Sequence, residues 1–106
     1  MTKEELERLK RSLCKAQRHA LAFATVDDGG TCCFDTAVIK LSRITKSQLS
    51  ELPIRLSKVG SRGWSGCYFV YTPLYGQGFR RTIMAEAAAK SLKEDGWDAF
   101  VYYMMD

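Results

Sequence analysis

The residues best suited to chemistry form a continuous segment, Tyr75-Gly76-Gln77-Gly78-Phe79-Arg80-Arg81. Glycines let backbone N–H groups come close to a ligand, and a helix that begins here presents unpaired donors and the positive end of its dipole. Arg80 and Arg81 add permanently charged, fork-shaped donors that match phosphate oxygens. The combination predicts a binding site for an anion, and a phosphorylated ligand fits it best.

This segment lies in a wider stretch that contains no acidic residue. Residues 52–85 carry five cations, five of the eight glycines and six of the twelve aromatic residues. Because aromatic faces stack on nucleobases, the stretch favours a nucleotide or a nucleic acid over a bare inorganic ion. The further candidates for ligand contacts are one cation and three aromatic residues: Arg62, Trp64, Tyr71 and Tyr75. The same pattern also fits an alternative without a ligand, namely a tight glycine turn flanked by surface arginines, since a lone Gly-x-Gly is common.

A second candidate segment runs from Gly29 to Asp35. Thr31 can donate and accept a hydrogen bond, and Asp35 could hold an arginine, a ribose hydroxyl or a base edge. We expect both to complete the polar rim of the anion site, although a hairpin turn with a solvated acid fits equally well. General acid–base catalysis needs a second placed titratable group, and the spacing of the other aspartates supplies none. No catalytic residue is predicted.

Length and composition limit the class of protein. A chain of 106 residues has room for one domain with a modest core, so residues 1–106 are predicted to form a single domain. The sequence has neither a membrane-length apolar run nor a signal-peptide h-region, and we therefore expect a cytoplasmic protein that contacts no membrane. Its formal charge of +4 favours anionic ligands but is too small to diagnose nucleic-acid binding.

The cysteines do not form a recognisable metal-binding pattern. Cys32 and Cys33 are adjacent, whereas zinc knuckles and redox pairs use the spacing Cys-x-x-Cys. His19 is the single histidine, so a tetrahedral site would need nearly every available ligand. Reduced cysteines of a cytosolic protein usually behave as small apolar residues. We predict no metal site and no cofactor.

Hydrophobic periodicity and capping signals predict the elements that position these residues. Thr2 and Glu5 form a capping box before a first long helix, and Thr45 and Gln48 open a short one. Strands are predicted over 31–41, 67–72 and 97–105, the second as an inner strand and the last as covered on both faces. A second long helix spans 80–95 and is followed by Gly96 as its C′ residue. The predicted class is α+β, with two long helices and one short helix on a sheet of three to five strands.

Three motifs together resemble those of a group of small uncharacterised phage and prophage proteins. They are Gly-Gly-Thr-Cys-x-Phe-Asp from Gly29, Gly-Gln-Gly-x-Arg-Arg from Gly76, and the closing Trp-Asp-Ala-Phe-Val-Tyr-Tyr-Met-Met-Asp from Trp97. That group has no settled activity, so the resemblance assigns no catalytic residue. It implies a non-enzymatic protein of the host cytoplasm that acts against host defence. The partner is then a phosphorylated small molecule, such as a nucleotide signal that is sequestered, or a host nucleoprotein complex such as a CRISPR effector.

A narrower resemblance implies an alternative function. A strand, Gly76-Gln77-Gly78, a helix and a strand that follows Gly96 are similar to the coenzyme A-binding unit of GCN5-related acetyltransferases. The first position of that motif, Gln or Arg, falls on Pro73, and the chain is shorter than that fold normally requires. The resemblance implies a small acyl-CoA-binding enzyme. An exposed aromatic loop around Trp64 also makes a homodimer a possible assembly.

Overall fold

The computed structural model describes residues 1–23, 35–60, 64–71 and 78–103 of the chain. Its elements follow in the order α1 (Lys3–Leu21), β1 (Thr36–Lys40), α2 (Lys46–Ser50), β2 (Leu56–Lys58), β3 (Cys67–Val70), α3 (Gly78–Glu94) and β4 (Asp98–Tyr102). Two long helices, one short helix and a four-stranded sheet confirm the predicted α+β class. Within these ranges, no helix combines the length and the apolar character needed to cross a membrane.

Local capping chemistry starts α1 and α2 where the sequence predicts. The side-chain oxygen of Thr2 accepts the backbone N–H of Glu5 at 3.2 Å, which satisfies one unpaired donor in the first turn of α1. Thr45 accepts the N–H of Gln48 at 3.1 Å, and the Gln48 side chain accepts the N–H of Thr45 in return. α2 therefore begins with a complete capping box.

Both ends of α3 are defined by glycines. The helix begins at Gly78, two residues before the predicted start at Arg80. Beyond its last residue, Gly96 has a φ of +90°, which is strained for any residue with a Cβ. The N–H of Gly96 bonds to the carbonyl of Lys93, and the N–H of Trp97 bonds to that of Leu92, each at 3.0 Å. This pair is a Schellman motif and confirms Gly96 as the C′ residue.

The four strands form one antiparallel sheet in the order β2-β3-β1-β4. β3 lies between β2 and β1, which confirms the predicted inner strand. Val38 of β1 pairs with Phe69 of β3 on one side and with Phe100 of β4 on the other. The unit β1-α2-β2 has β3 between its two strands, and the unit β3-α3-β4 has β1 between its two strands. Both units are therefore split β-α-β motifs.

One face of the sheet, which we call the helix face, packs against α1 and α3. The core on this side is mainly aliphatic, with Tyr68 as a buried aromatic member, and it draws on both long helices and the sheet. Its largest fully buried side chains are 0% exposed: Leu9, Leu13, Ile39, Met84 and Leu92. Complete burial of one such side chain contributes about 1.5–3 kcal/mol. The helix face is therefore the main source of hydrophobic stabilisation among the described residues.

A second, smaller hydrophobic cluster lies on the opposite face of the sheet. Val38, Val59 and Cys67 are buried there beneath half-buried aromatic rings, and no residue of the described helices belongs to this cluster. The prediction that the closing strand is covered on both faces differs from the structure. β4 lies at the edge of the sheet, and its Phe100 and Tyr102 are only half-buried.

Candidate functional site: aromatic face and arginine corner

Four aromatic side chains contact one another on the side of the sheet opposite the helices. We call this surface the aromatic face, and it consists of Trp64, Phe69, Phe100 and Tyr102. The ring of Trp64 lies 5.4 Å from that of Tyr102, edge to face, and 5.6 Å from that of Phe100. Tyr102 also meets Phe69 edge to face at 6.0 Å. These are the distances of favourable aromatic pairs, so each ring is held in place by its neighbours.

The two-residue period of a strand brings these rings to one face. In β4, Phe100 and Tyr102 alternate with Ala99, which is buried on the helix face. Val38 stands between Phe100 and Phe69 in one row of the ladder, and a β-branched residue packs well beside aromatic cross-strand partners. The strand register therefore fixes the spacing of the rings across the sheet.

Polar side chains from β1 and α3 meet at one end of the sheet. We call this site the arginine corner, and it consists of Asp35, Thr36, Arg81 and Thr82, with Arg80 next to Arg81 in the sequence of α3. Arg81 donates from Nε to the carbonyl oxygen of Asp35 and from Nη2 to Oγ1 of Thr36, each at 2.8 Å. The hydroxyl of Thr82 donates to the carboxylate of Asp35 at 2.6 Å. These bonds tie the first turns of α3 to the start of β1.

The aromatic face and the arginine corner are contiguous. Thr36, which accepts the hydrogen bond from Arg81, is the direct cross-strand partner of Tyr102. Opposed residues of an antiparallel pair lie on the same face, with Cβ atoms about 4.5–5.5 Å apart. A path of contacts therefore runs from Trp64 through Tyr102 and Thr36 to Arg81. The rings of the aromatic face therefore lie next to the guanidinium of Arg81, which hydrogen bonds hold in place.

Charged groups of both signs lie at the arginine corner. Arg81 brings a positive charge and Asp35 a negative one. Tyr103 follows β4 on the neighbouring surface and, although it is largely exposed, has a raised pKa. Desolvation of its hydroxyl is the main cause, and the negative charges of Glu86 and Asp35 add to it. The phenol of Tyr103 therefore stays neutral at pH 7 and adds no charge beside the arginine corner.

The structure brings together predicted residues from two distant motifs. Asp35 and Arg81, 46 residues apart in sequence, are in direct contact. Asp35 is 4% exposed, so its carboxylate serves the fold by accepting from Thr82. Trp64 lies on the aromatic face. Whether Asp35, Arg80 and Arg81 bind a ligand stays a prediction.

The remaining predicted site residues fall into two groups. Tyr71 directly follows β3, is 40% exposed, and donates its N–H to the carbonyl of Arg55. Gly78 is the first residue of α3. The others lie outside the described residues: Thr31, Arg62, Tyr75, Gly76 and Gln77.

Five residues of the site are absent from the sequence prediction: Thr36, Phe69, Thr82, Phe100 and Tyr102. The alternation of Phe100 and Tyr102 in the closing strand was a usable signal. That signal does not say which face of the strand the helices cover. The aromatic face therefore becomes visible only when the strand order and the position of the helices are known.

A separate group of cations lines a groove on α1, on the other side of the sheet: Arg8, Lys10, Arg11, Lys15 and Arg18. Part of this charge serves the fold. Arg8 donates to the carbonyl of Asp95 at 2.9 Å, and its guanidinium lies 4.3 Å from the centre of the Trp97 ring. Lys15 forms an ion pair with the Asp95 carboxylate at 3.0 Å. These contacts fasten α1 to the turn that follows α3.

The described part of the chain contains no group of His, Cys, Asp and Glu side chains arranged to hold a metal ion. Cys14 is exposed and Cys67 is buried, and both are free thiols. Cys32 and Cys33 lie outside the described residues.

No family model, curated protein or solved structure matches this chain. The resemblances to phage proteins and to the coenzyme A-binding unit therefore stay predictions. For the second of these, the glycine motif before Gly78 lies outside the described residues, and the strands that flank α3 in sequence are separated in the sheet by β1.

Proposed function

We propose that this protein binds a phosphorylated ligand that carries an aromatic base, without catalysing a reaction on it. The arginine corner holds the phosphate, and the aromatic face stacks on the base. The unbroken path from Trp64 through Tyr102 and Thr36 to Arg81 is the observation that supports this proposal. A nucleotide has the same two parts, a charged group and a planar ring system.

Preorganisation of both parts favours binding. Two hydrogen bonds fix the guanidinium of Arg81, and three ring contacts fix the aromatic face. Side chains that are already ordered lose less conformational entropy when a ligand binds. Stacking contributes about 1–3 kcal/mol per base, and a charge-assisted hydrogen bond to phosphate about 1.5–3 kcal/mol.

The resemblance to phage proteins supplies the biological setting of the proposal. In that setting the protein acts in the cytoplasm of the host against its immune system. It sequesters a nucleotide signal, or it docks on a nucleic-acid-bearing effector such as a CRISPR complex. Mimicry of DNA by an acidic surface is disfavoured, because the chain is basic. The acyl-CoA-binding enzyme remains the alternative.

Tryptophan fluorescence tests the proposal directly. The variant Trp97→Phe leaves Trp64 as the single tryptophan, so a base that stacks on the aromatic face should quench its emission. We expect ATP to bind at least tenfold more tightly than either adenosine or inorganic triphosphate, a difference of about 1.4 kcal/mol. Coenzyme A is titrated in parallel, and acetyl transfer from acetyl-CoA would favour the enzyme instead.

A matched pair of variants assigns the phosphate contact. Arg81→Lys keeps the positive charge but removes the fork-shaped donor, and should weaken ATP binding about tenfold. Arg18→Lys makes the same change on α1 and should leave the affinity unchanged. Thermal denaturation checks that each variant is folded, since Arg81 also ties α3 to β1. Equal ATP affinity of folded Arg81→Lys and the parent protein would reject the phosphate role of Arg81.

A further inference from the structure

We infer that the aromatic face takes single-stranded nucleic acid, with successive bases stacked across the sheet, rather than one isolated nucleotide. This inference rests on the proposed function and specifies the ligand class of the same site. The reasons are the width of the aromatic surface, the placement of the cations around it and the free approach that the helix arrangement leaves.

The aromatic surface is wider than one base. Phe100 and Phe69 stand on β4 and β3, in one row, with Val38 of β1 between them. Neighbouring strands lie about 4.8 Å apart, so these two strands are about 10 Å apart. Tyr71, the residue after β3, alternates with the helix-face residue Val70 and so extends the surface along β3. One base therefore covers only part of a surface that extends from Phe100 on β4 to Tyr71 after β3.

Cations lie at separate points around this surface. Arg81 is anchored at Thr36 on β1. Arg55 is exposed beside β2, next to Tyr71, whose N–H its carbonyl accepts. Because Leu56 packs towards the helix face, alternation directs Arg55 to the same side as the rings. β1 and β2 are two strand spacings apart, about 10 Å, so the two cations are placed where successive phosphates of a strand could contact them.

The described helices do not cover this surface. α1 and α3 both pack on the helix face, and the cluster beneath the rings contains no helical residue. Bases stacked on exposed sheet aromatics, with cations along the backbone path, are a general mode of single-strand recognition. In a duplex the bases are already stacked on one another, so their faces are not available to the rings.

Fluorescence anisotropy with labelled oligothymidylates of two, four, eight and twelve nucleotides tests this inference. We expect the affinity to rise at least tenfold from two to eight nucleotides, and a duplex of twelve base pairs to bind at least tenfold more weakly than the single strand. Oligouridylates of the same lengths determine whether DNA or RNA is preferred. Binding should weaken steeply as the salt concentration rises, because phosphate contacts release counterions.

Variants that remove a ring face while keeping apolar volume assign the stacking residues. Phe69→Leu and Tyr71→Leu should each weaken eight-nucleotide binding by about fivefold or more, as expected for loss of one base–aromatic stack. Phe23→Leu is the matched control, since Phe23 is an exposed aromatic residue that lies after α1 and away from the sheet strands. It should leave the affinity unchanged.

The outcomes separate this inference from the proposed function. Length-independent binding no tighter than that of ATP would overturn the single-strand assignment and leave the nucleotide site intact. Absence of binding by ATP and by every oligonucleotide would overturn both. Unchanged affinity in folded Phe69→Leu and Tyr71→Leu would place the bases elsewhere. A dimer in sedimentation velocity that these two variants dissociate would assign the aromatic face to a second copy of the chain.

Discussion

The two faces of the sheet reach the same degree of burial by different means. On β1, Ile39 faces the helices and Val38 faces the aromatic rings, and both are 0% exposed. Ile39 lies in a mainly aliphatic cluster of buried side chains that includes its cross-strand partner Tyr68. Val38 is enclosed by rings that are half-buried and therefore still contact solvent. The helix face supplies stability, whereas the opposite face covers a small cluster with groups that remain able to contact a ligand.

Truncation of the two neighbouring residues of β1 should give the largest difference between the faces. Ile39→Ala leaves a cavity among rigidly packed helix side chains and should lower the free energy of unfolding by about 2–5 kcal/mol. Val38→Ala should lower the free energy of unfolding by less than half of that amount, because the half-buried rings can move into the space that the substitution leaves. Urea denaturation of both variants measures the two values. Similar losses would show that the aromatic face is as tightly packed as the helix face.

Backbone substitutions should give an intermediate effect. Gly96, with its φ of +90°, ends α3, and an added Cβ would lie 3.3 Å from Nη2 of Arg8. Gly96→Ala should therefore cost about 1–2 kcal/mol. Gly60 lies close to the opposite face, after Val59, and an added Cβ would meet nothing within 4 Å. Gly60→Ala should change stability by less than about 0.5 kcal/mol in either direction. Thermal denaturation compares the pair, and equal costs would contradict the assigned role of the Gly96 turn.

Acid should produce the smallest of the three effects, through a contact on the helix side of the sheet. Hydrogen bonds from Lys15 and Ser12 hold the pKa of Asp95 below its ordinary value, despite an opposing effect of desolvation. A carboxyl group whose pKa is lowered by folding contributes stability that is fully present above its ordinary pKa and is lost as the pH falls through the folded pKa. The free energy of unfolding should therefore decline below about pH 5.

Two variants isolate the contribution of Asp95 from that of the other acids. Asp95→Asn should reduce the slope of the free energy of unfolding against pH between pH 5 and pH 2, as measured by urea denaturation. Lys15→Ala should also reduce this slope, because the hydrogen bond from Lys15 is the largest cause of the lowered pKa of Asp95. Parallel curves for Asp95→Asn and the parent protein would show that this carboxylate does not couple α1 to the end of α3.

The features that the sequence predicts well depend on neighbouring residues. The helix caps at Thr2 and Thr45 and the glycine after α3 depend on hydrogen bonds between residues three to five positions apart. All three are confirmed. The class of the fold follows from the same local periodicities. The start of α3 was missed by two residues, because the glycine motif reads as a turn although its last glycine is helical.

The parts of the site that depend on strand order could not be predicted. The acceptors of Arg81 lie about 45 residues away in sequence, and no local pattern identifies them. The closing strand is apolar at nearly every position, so its sequence does not distinguish an inner strand from an edge strand with a half-open face. Phe100 and Tyr102 acquire their role from β1, which places them beside the arginine corner.

The central position of β1 also governs how the chain folds. Its nearest partners in the ladder, from Lys40 to Cys67, are 27 positions apart (67 minus 40), and Thr36 and Tyr102 are 66 apart (102 minus 36). Closing such long loops costs entropy before any contact is gained, so high contact order should make assembly of this sheet slow for a chain of this size. During synthesis on the ribosome, β1 should lack its strand partners until β3 and then β4 emerge. During that interval its exposed edges are open to association with other nascent chains.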